Sequence, residues 1–289
     1  MASNAKIFVI YHKPEEVIAS GVFQPIAVGK NKDSFSNDFL RDDVGDNIAD
    51  KNEKFNELTA IYWVFKHIDD FSDTKYFGFC HYRRFFCFYG LDRTAYVRKN
   101  ADKKLINVEG ERLDQFFSDY DFIAPRSNHY RSVKKHYEKS HNKEDLPILI
   151  KAIEKVAPEY RKSAYEYFDN GEEYLYNMFV FKKEDFIAYC EFIFKVVEEF
   201  LKEKPDVQRL YVSERLTGVF INKLISDKKT GLFLPILHVR SKSFTAARKQ
   251  VRENYESNID HGFFYKQKPI ILCLLPRCVE QYFRRRKAR

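Results

Sequence analysis

The feature that most constrains the fold of this chain is the alternation of short apolar runs with longer segments of helical periodicity. Three runs rich in β-branched and aromatic residues predict strands buried on both faces: Lys6–His12, Tyr76–Tyr82 and Tyr120–Pro125. Elsewhere, apolar residues recur at three- and four-residue steps, most clearly over Phe186–Phe200 and Glu214–Ile225. Strands that alternate with helices indicate an α/β architecture with a mostly parallel central sheet.

The same rules predict four further elements. Phe23–Val28 and Tyr174–Lys182 are expected as strands, and Glu57–His67 and Leu146–Ala157 as helices. The basic, histidine-rich stretch Ser127–Asp145 is predicted to be a surface excursion. Because no repeat or low-complexity linker divides the chain, we predict one domain over residues 1–240, followed by a basic amphipathic appendage over residues 241–289.

Composition excludes several classes of protein. With 289 residues, 44% of them hydrophobic and 17% aromatic, the chain can bury a core and is neither disordered nor collagen-like. No apolar run approaches the roughly 18 residues of a membrane-spanning helix, and no secretory signal is visible, so we expect a cytoplasmic protein. The cysteines form no CxxC pair and are predicted to be reduced, buried thiols: Cys80, Cys87, Cys190, Cys273 and Cys278.

The net charge of +8 is concentrated at the C-terminus. The stretch Pro276–Arg289 holds six Arg or Lys residues against one Glu, and it follows the apolar run Ile270–Leu275. An apolar anchor followed by a basic end suits an anionic membrane surface. A buried element with a solvated basic end explains the pattern equally well. Nucleic acid is not an expected partner, because no nucleic-acid-binding module accompanies the basic residues.

An acidic loop, Arg41–Ile48, is the first constellation that can carry chemistry. Asp42, Asp43 and Asp46 crowd like charges around a glycine, which is costly unless a cation, sugar hydroxyls or backbone N–H groups compensate. A solvated loop in which Asp46 or Asp50 caps the next helix is the alternative.

A strand that ends in cationic side chains is the second constellation. His81, Arg83 and Arg84 follow the buried run that starts at Tyr76, and ligand crevices of open α/β sheets lie at the carboxyl ends of strands. Guanidinium groups match phosphate oxygens and would stabilise a diphosphate leaving group. The alternative is an interior network of ion pairs.

The third constellation lies at the start of the helix predicted from Glu214. Ser213 is in position to cap that helix, and Glu214 would lie in its first turn, where the helix dipole favours a carboxylate. Glu214 is also a candidate general base, and both interpretations stay open.

Motifs of other catalytic classes are absent: GxSxG, GxGxxG, GxxxxGK[ST] and HExxH. His129, His136 and His141 do not have the spacing of a standard zinc site.

Together these stretches resemble a known bacterial family. The motifs that carry the resemblance are KIFVIYHKP, QPIAVGK, DDVGDNIADKN, NELTAIYWVFKH, YFGFCHYRRFF, YLYNMFVFKKEDFIAYCEFIF and SERLTGVFINKL, in order between Lys6 and Val239. That family was first catalogued as a domain of unknown function, and its members occur among glycosyltransferases of capsular and exopolysaccharide biosynthesis. Two departures are Val44, where many relatives carry Thr, and Tyr211–Ser213, where they carry a Gly-Phe-Leu-Ala type of sequence.

The resemblance implies a GT-A-like nucleotide-binding sandwich that uses a nucleotide sugar. Some members are similar to galactofuranosyltransferases, which use UDP-galactofuranose and invert the anomeric centre. In typical GT-A enzymes a strand ends in Asp-x-Asp and holds a divalent metal, Mn²⁺ or Mg²⁺. Here the comparable strand ends in His81-Tyr82-Arg83-Arg84, and Asp119-Tyr120-Asp121 precedes its strand, so we expect cationic side chains to replace the metal.

The predicted function is therefore a cytoplasmic, membrane-peripheral glycosyltransferase that transfers a sugar from a UDP-sugar to a lipid-linked or other oligosaccharide of a surface polysaccharide. Glu214 is expected as the general base, with Asp46 second. The donor diphosphate would be bound by His81, Arg83, Arg84 and Arg215. The nucleoside and sugar would be bound by Tyr11, His12, Lys13, Val28, Gly29, Asp42, Asp43, Asn47 and Glu57. The alternative is a non-catalytic nucleotide- or glycan-binding module of the same fold.

Overall fold

A computed structural model describes residues 4–15, 17, 21–30, 34–89, 95–98 and 106–240. The strands are β1 (Ala5–Tyr11), β2 (Phe23–Ala27), β3 (Leu40–Arg41), β4 (Tyr76–His81), β5 (Arg84–Phe86), β6 (Ala95–Arg98), β7 (Phe122–Pro125), β8 (Asn128–His129), β9 (Glu172–Glu173), β10 (Phe179–Lys182), β11 (Gly231–Leu234) and β12 (Ile236–Arg240). The helices are α1 (Asn52–Phe55), α2 (Leu58–Lys66), α3 (Gly110–Asp119), α4 (Val133–Ser140), α5 (Asp145–Val156), α6 (Arg161–Asp169), α7 (Lys183–Glu203) and α8 (Ser213–Ser226).

The central sheet has the strand order β11-β7-β10-β4-β1-β2-β3. Strands β3, β2, β1 and β4 run parallel to one another, and β10 is antiparallel to both of its neighbours, β4 and β7. A second region formed by β5, β6 and β12 joins the sheet through the β4–β5 hairpin. The predicted α/β class with a mostly parallel sheet is confirmed. Because the chain moves from β1 to β2 on one side and returns to β4 on the other, a crevice opens at the carboxyl ends of these three strands.

Two apolar cores lie on opposite faces of the sheet, as the alternation of β1 requires. Phe8 and Ile10 pack on one face with α2 and α4–α8, whereas Ile7, Val9 and Tyr11 pack on the other face with α3 and the β5–β12 region. Successive side chains of a strand point to opposite faces, and both faces are covered here. This explains why the run is apolar throughout instead of alternating.

The helix predicted over Phe186–Phe200 is the longest in the described residues, and it extends from Lys183 to Glu203 as α7. Its apolar residues form one buried stripe that faces α2, α5, α8 and β10. The helices predicted over Glu57–His67, Leu146–Ala157 and Glu214–Ile225 are confirmed as α2, α5 and α8, and each end differs by one residue.

Other expectations were wrong in part. The segment Ser127–Asp145 is not simply a surface excursion: it contains β8 and α4, whose Val133 and Tyr137 are buried. The strand predicted from Tyr174 begins only at Phe179, because Tyr176 and Asn177 have positive φ angles that no strand accommodates. Ser213 does not cap α8 but is its first residue, and Val212 occupies the cap position.

Helix α8 approaches α6 so closely that only glycine fits at the contact. A Cβ atom built on Gly218 would lie 2.0 Å from Cζ of the buried Tyr167. We therefore expect Gly218→Ala to lower the free energy of unfolding by about 1–3 kcal/mol, because the ring or the helix must shift. Ser226→Ala, at the exposed end of the same helix, is the matched control and is expected to change it by less than about 0.5 kcal/mol. Urea denaturation of the two variants tests the close approach, and equal stabilities would contradict it.

Several expectations lie partly or wholly outside the described residues. These are the appendage over residues 241–289, its basic end and Cys273 and Cys278. Cys80, Cys87 and Cys190 are buried, as predicted, and none of them forms a disulfide within the described residues. Among the described helices, none is both long enough and apolar enough to cross a bilayer.

Candidate active site

A cleft of about 780 Å³ opens at the carboxyl ends of β1, β2 and β4. Its walls also include the start of α2, the start of α8 and the loop that precedes β10. The lining residues include Ile10, His12, Val28, Gly29, Lys30, Asn52, Glu53, Asn56, Glu57, His81, Arg84, Tyr176, Arg209, Tyr211, Ser213 and Glu214. The volume lies in the usual range for a cofactor or substrate site.

Two carboxylates, Glu57 and Glu214, face this cleft from the N-terminal ends of α2 and α8. Burial raises the pKa of both groups above the ordinary glutamate value. For Glu214, the neighbouring charge of Glu57 raises the pKa further, whereas Arg215 lowers it. The Glu214 side chain keeps 25% of its surface exposed, so it can reach a bound molecule. A carboxylate whose pKa is raised toward neutrality suits general-base chemistry.

The strained segment Tyr176–Asn177 holds both carboxylates. These residues have φ angles of +78° and +48°, a region that side-chain-bearing residues rarely adopt. A backbone hydrogen bond from Tyr176 reaches the Glu214 carboxylate. The buried Asn177 side chain donates through Nδ2 to Glu57 Oε1 at 2.8 Å and to Ser213 Oγ at 3.0 Å. Backbone strain concentrated at one point of the cleft therefore orients the two groups that are best placed to act on a substrate.

His81, the last residue of β4, also contacts the segment Tyr176–Asn177. Its Nε2 lies 2.6 Å from the carbonyl oxygen of Tyr176. Burial and the nearby Arg84 lower the pKa of His81, while the hydrogen bond with Tyr176 and the charge of Glu214 raise it. Burial is the largest effect, so the net shift is downward and favours the neutral ring at pH 7. Because a carbonyl oxygen only accepts, Nε2 must carry the proton. His81 lines the cleft as predicted, but it lies there as a neutral donor rather than as a cation.

Adjacent arginines Arg83 and Arg84 have different surroundings. Arg84 lines the cleft, with its guanidinium 4.3 Å from the centroid of the Tyr176 ring. Within the described residues, the buried Nε of Arg84 has no hydrogen-bond partner. Arg83 lies outside the lining, its side chain 55% exposed and paired with Glu15 at 2.9 Å. Of these two arginines, both predicted to bind the diphosphate, only Arg84 lines the cleft.

Arg215 lies beneath the cleft instead of facing it. The residue is 4% exposed, and its guanidinium binds Glu173 at 3.0 Å and Glu214 at 3.1 Å. The ring of Tyr137 lies 5.0 Å from the guanidinium carbon. Glu173 is completely buried and also binds His136 Nδ1 at 2.6 Å. The predicted contact of Arg215 with a diphosphate therefore does not fit its position, since the residue is buried outside the cleft lining and its two terminal nitrogens bind carboxylates.

Residues predicted to contact the nucleoside are divided between the cleft and its surroundings. His12, Val28 and Gly29 line the cleft, and Gly29 has a φ of +85°, which favours glycine. Tyr11 is completely buried in the second core, and Lys13 is exposed outside the lining.

The acidic loop does not reach the cleft either. Asp46, the second candidate base, is 55% exposed and binds Lys66 at 3.1 Å and the hydroxyl of Tyr62 at 3.4 Å, on the outer side of α2. Trp63 Nε1 donates to the carbonyl oxygen of Val44 at 2.7 Å and fixes the loop there. Asp46 is therefore not placed to act on a molecule in the cleft.

The other loop residues have local roles. Asp43 binds Arg41 at 3.2 Å, and Asp42 is completely buried. Asn47 Oδ1 accepts a hydrogen bond from the Ala49 backbone N–H at 3.1 Å in a local Asx turn. The predicted cap by Asp46 or Asp50 is wrong, because Ile48 holds the cap position of the following 3-10 turn and Asp50 lies within that turn. Among the predicted sugar ligands from this region, only Glu57 lines the cleft.

The described residues do not fit the divalent metal of typical GT-A enzymes. Nowhere in the described ranges do three or more His, Cys, Asp or Glu side chains come together in a way that could hold a metal ion. The Asp-x-Asp sequence ends in Asp121, which binds Lys182 at 2.8 Å and accepts from the Thr230 backbone N–H at 2.9 Å. Because Asp121 precedes β7, it lies at the sheet edge opposite the cleft.

The residues that support the site carry little signal in the sequence. Tyr176 and Asn177 lie within an apolar run, and a positive φ angle in a non-glycine residue leaves no mark on hydrophobic periodicity. Asn52 was missed as well: its Nδ2 donates to the Asn56 carbonyl at 2.9 Å and to Thr59 Oγ1 at 2.9 Å. The spacing of Asn52 and Asn56, four residues apart and just before α2, is the sequence signal that could have indicated this contact.

A known protein that resembles this chain has the same fold. The family described as a domain of unknown function, DUF4422, matches residues 6–227. A solved structure, the apo form of the bifunctional glycosyltransferase WbbM, superposes with a TM-score of 0.72 and is 26% identical in sequence. The match covers 83% of this chain and 46% of the WbbM chain, so this chain spans less than half the length of that protein. No curated protein matches the sequence. The chain therefore has a glycosyltransferase fold.

Proposed function

This chain belongs to the family described as domain of unknown function DUF4422, and we propose that it is a glycosyltransferase that uses a nucleotide sugar and an oligosaccharide acceptor. The observation that carries the proposal is the cleft itself, in which Glu57, Glu214 and Arg84 meet at the carboxyl edge of a sheet with a glycosyltransferase fold. Ligand sites of open α/β sheets lie at this edge. The likeness to a glycosyltransferase structure supports the reaction class.

The proposed donor is a UDP-sugar, with galactofuranose as the sugar that the sequence resemblance favours. His12, Val28 and Gly29 would lie beside the nucleoside, at the ends of β1 and β2. The acceptor would be a growing surface polysaccharide. A peripheral position at the inner face of the membrane, held by the basic C-terminal residues, belongs to the same proposal.

Glu214 would act as the general base of an inverting transfer. Its carboxylate removes the proton from an acceptor hydroxyl while that oxygen attacks C1 of the donor sugar, and the bond from C1 to the diphosphate oxygen breaks on the opposite face. Because the pKa of Glu214 is raised, the carboxylate is a stronger base than an exposed glutamate. Glu57 would keep that pKa high and accept a hydrogen bond from a sugar hydroxyl.

Arg84 would stabilise the charge that develops on the diphosphate. Its guanidinium lies at the cleft, 4.3 Å from the centroid of the Tyr176 ring, and fixed cations at a leaving group lower the barrier without reorganisation. Arg209 also lines the cleft and adds a cation there, whereas Lys30 is paired with Glu53. These side chains would do what a metal does in other enzymes of this fold.

The two neighbouring arginines give an internal control. We expect Arg84→Ala to weaken UDP binding about tenfold or more, because it removes a charged donor from the cleft. Arg83 is 55% exposed and paired with Glu15 outside the cleft lining. Arg83→Ala should therefore change the affinity for UDP less than about threefold. Isothermal titration of UDP into both variants makes the comparison. Equal losses, or a larger loss for Arg83→Ala, would contradict the assignment.

Nucleotide release tests the proposed reaction. Purified protein incubated with UDP-galactofuranose, UDP-galactose or UDP-glucose should release UDP slowly by hydrolysis, and faster when an oligosaccharide acceptor is added. Absence of nucleotide release from UDP-, GDP- and CMP-sugars, in protein that binds UDP, would contradict an enzyme and favour a non-catalytic binding module.

A further inference from the structure

The segment from His129 to Lys143 forms a positively charged surface beside the cleft. It includes α4 and its flanks, and five of its residues are Arg or Lys against a single Glu. All five cations are exposed, and none of them forms an ion pair with any part of the chain that the structure describes: Arg131, Lys134, Lys135, Lys139 and Lys143. Unneutralised charge of one sign on one surface attracts a ligand of the opposite sign.

Exposed tyrosines lie at both ends of this surface. Tyr130 is 38% exposed and stacks on the His136 ring, with centroids 3.6 Å apart. Tyr211 is 44% exposed and packs against the His141 ring at 4.6 Å. Because the rings are held by their neighbours before any ligand arrives, binding to them costs little conformational entropy. Flat, exposed and fixed aromatic rings suit the apolar faces of sugar rings.

The surface is continuous with the cleft. Tyr211 lines the cleft and contacts α4 through His141, which follows that helix. At the other end, the Tyr130 backbone N–H donates to the Gly171 carbonyl at 2.8 Å, in the ribbon that leads to the buried Glu173. Glu173 holds His136 and Arg215, and Arg215 in turn holds Glu214. A chain molecule that rests on the surface can therefore extend one end toward the proposed base.

We propose that this Tyr–Lys surface, defined as residues 129–143 together with Tyr211, binds the acceptor and that the acceptor is an acidic saccharide. The inference rests on the proposed function only in naming the bound saccharide as the acceptor. The binding of the saccharide does not itself require catalysis. Carboxylate or phosphate groups of the saccharide pair with the exposed cations, while sugar rings stack on Tyr130 and Tyr211. The surface thereby selects charged glycans over neutral ones.

The direct test is binding of tetragalacturonate to the full chain, compared with its carboxyl-reduced, neutral counterpart. We expect the acidic tetrasaccharide to bind at least about tenfold more tightly than the neutral one and to lose affinity as salt is raised. A phosphorylated neutral tetrasaccharide included in the same series shows whether phosphate serves as well as carboxylate. Equal affinity for the acidic and neutral forms would overturn the proposal.

Variants with matched controls locate the binding. Tyr130→Ala and Tyr211→Ala should each weaken tetragalacturonate binding about three- to tenfold, and Lys134→Gln/Lys135→Gln/Lys139→Gln about tenfold. The controls are Tyr165→Ala, which removes a tyrosine 43% exposed, and Lys162→Gln, whose side chain is 85% exposed, both on α6. UDP affinity should stay unchanged in Tyr130→Ala and in the lysine variant, since none of these residues lines the cleft, and this separates the proposal from the proposed function. Unchanged tetragalacturonate binding in the variants, with loss of binding to phosphatidylglycerol vesicles in the lysine variant, would assign the surface to a membrane instead.

Discussion

Glu214→Gln is expected to lower turnover of the nucleotide sugar by roughly 10²–10⁴-fold while leaving the fold and UDP affinity intact. The amide keeps an acceptor oxygen for Arg215 Nη1, which lies 3.1 Å from the carboxylate, so the buried ion network changes little. It cannot, however, remove a proton from an acceptor hydroxyl. Glu166→Gln, an exposed glutamate on α6, is the matched control and should retain full turnover. Turnover of Glu214→Gln within about twofold of the unmodified protein would remove Glu214 as the base.

The pH profile of the same reaction carries an independent signature. Glu214 must be deprotonated to act, and its pKa is raised above the ordinary value of 4.5, so turnover should fall as the pH decreases through that raised pKa. Glu57→Gln removes the like charge that contributes to the shift and should move this acidic limb to lower pH. A limb that stays in place in Glu57→Gln would show that the two carboxylates are not coupled.

Arg215→Ala is expected to produce the largest loss of stability, about 3–5 kcal/mol in the free energy of unfolding. The substitution leaves Glu173, which is completely buried, without its cationic partner at 3.0 Å. It also removes the guanidinium from the Tyr137 ring. Urea denaturation measures the change. Arg161→Ala is the control, because Arg161 also pairs with a glutamate but is 64% exposed, and it should cost less than about 1 kcal/mol.

A double variant distinguishes a structural Arg215 from a ligand-binding one. Arg215→Ala combined with Glu173→Gln removes the uncompensated charge, so it should recover part of the lost stability. If Arg215 instead served mainly to bind a diphosphate, Arg215→Ala would weaken UDP binding and leave the unfolding transition unchanged. That result would contradict the position of Arg215 beneath the cleft.

Periodicity reports burial, and it predicted half of the ten strands in the described sheet, β1, β2, β4, β7 and β10, together with the long helices. The run from Lys6 to His12 is apolar on both faces because both faces are covered, and the stripe of α7 is buried along its length. The short strands β5, β11 and β12, and helices α3 and α6, went unpredicted. Their patterns are brief or polar, and tertiary pairing, rather than local preference, determines them.

The site was predictable in its location but not in the orientation of its side chains. Neighbouring residues on a strand or helix point in different directions, so a motif cannot show which member faces the ligand. Arg84 reaches the cleft while Arg83 pairs outside it, and Glu214 faces the cleft while Arg215 binds the buried Glu173. Predicting these differences requires knowing what packs beneath each element.

The measurement that tests the central claim most directly is calorimetric titration of UDP into the purified protein in the presence of EDTA. A cleft that binds the diphosphate of a nucleotide sugar through Arg84 and its neighbouring cations predicts saturable, roughly micromolar binding without a divalent metal. The same titration with manganese added should give a similar affinity. Absence of binding in EDTA, with binding restored by manganese, would contradict the claim that cationic side chains replace the metal. Absence of binding under both conditions, for UDP, GDP and CMP alike, would contradict a nucleotide-sugar enzyme altogether.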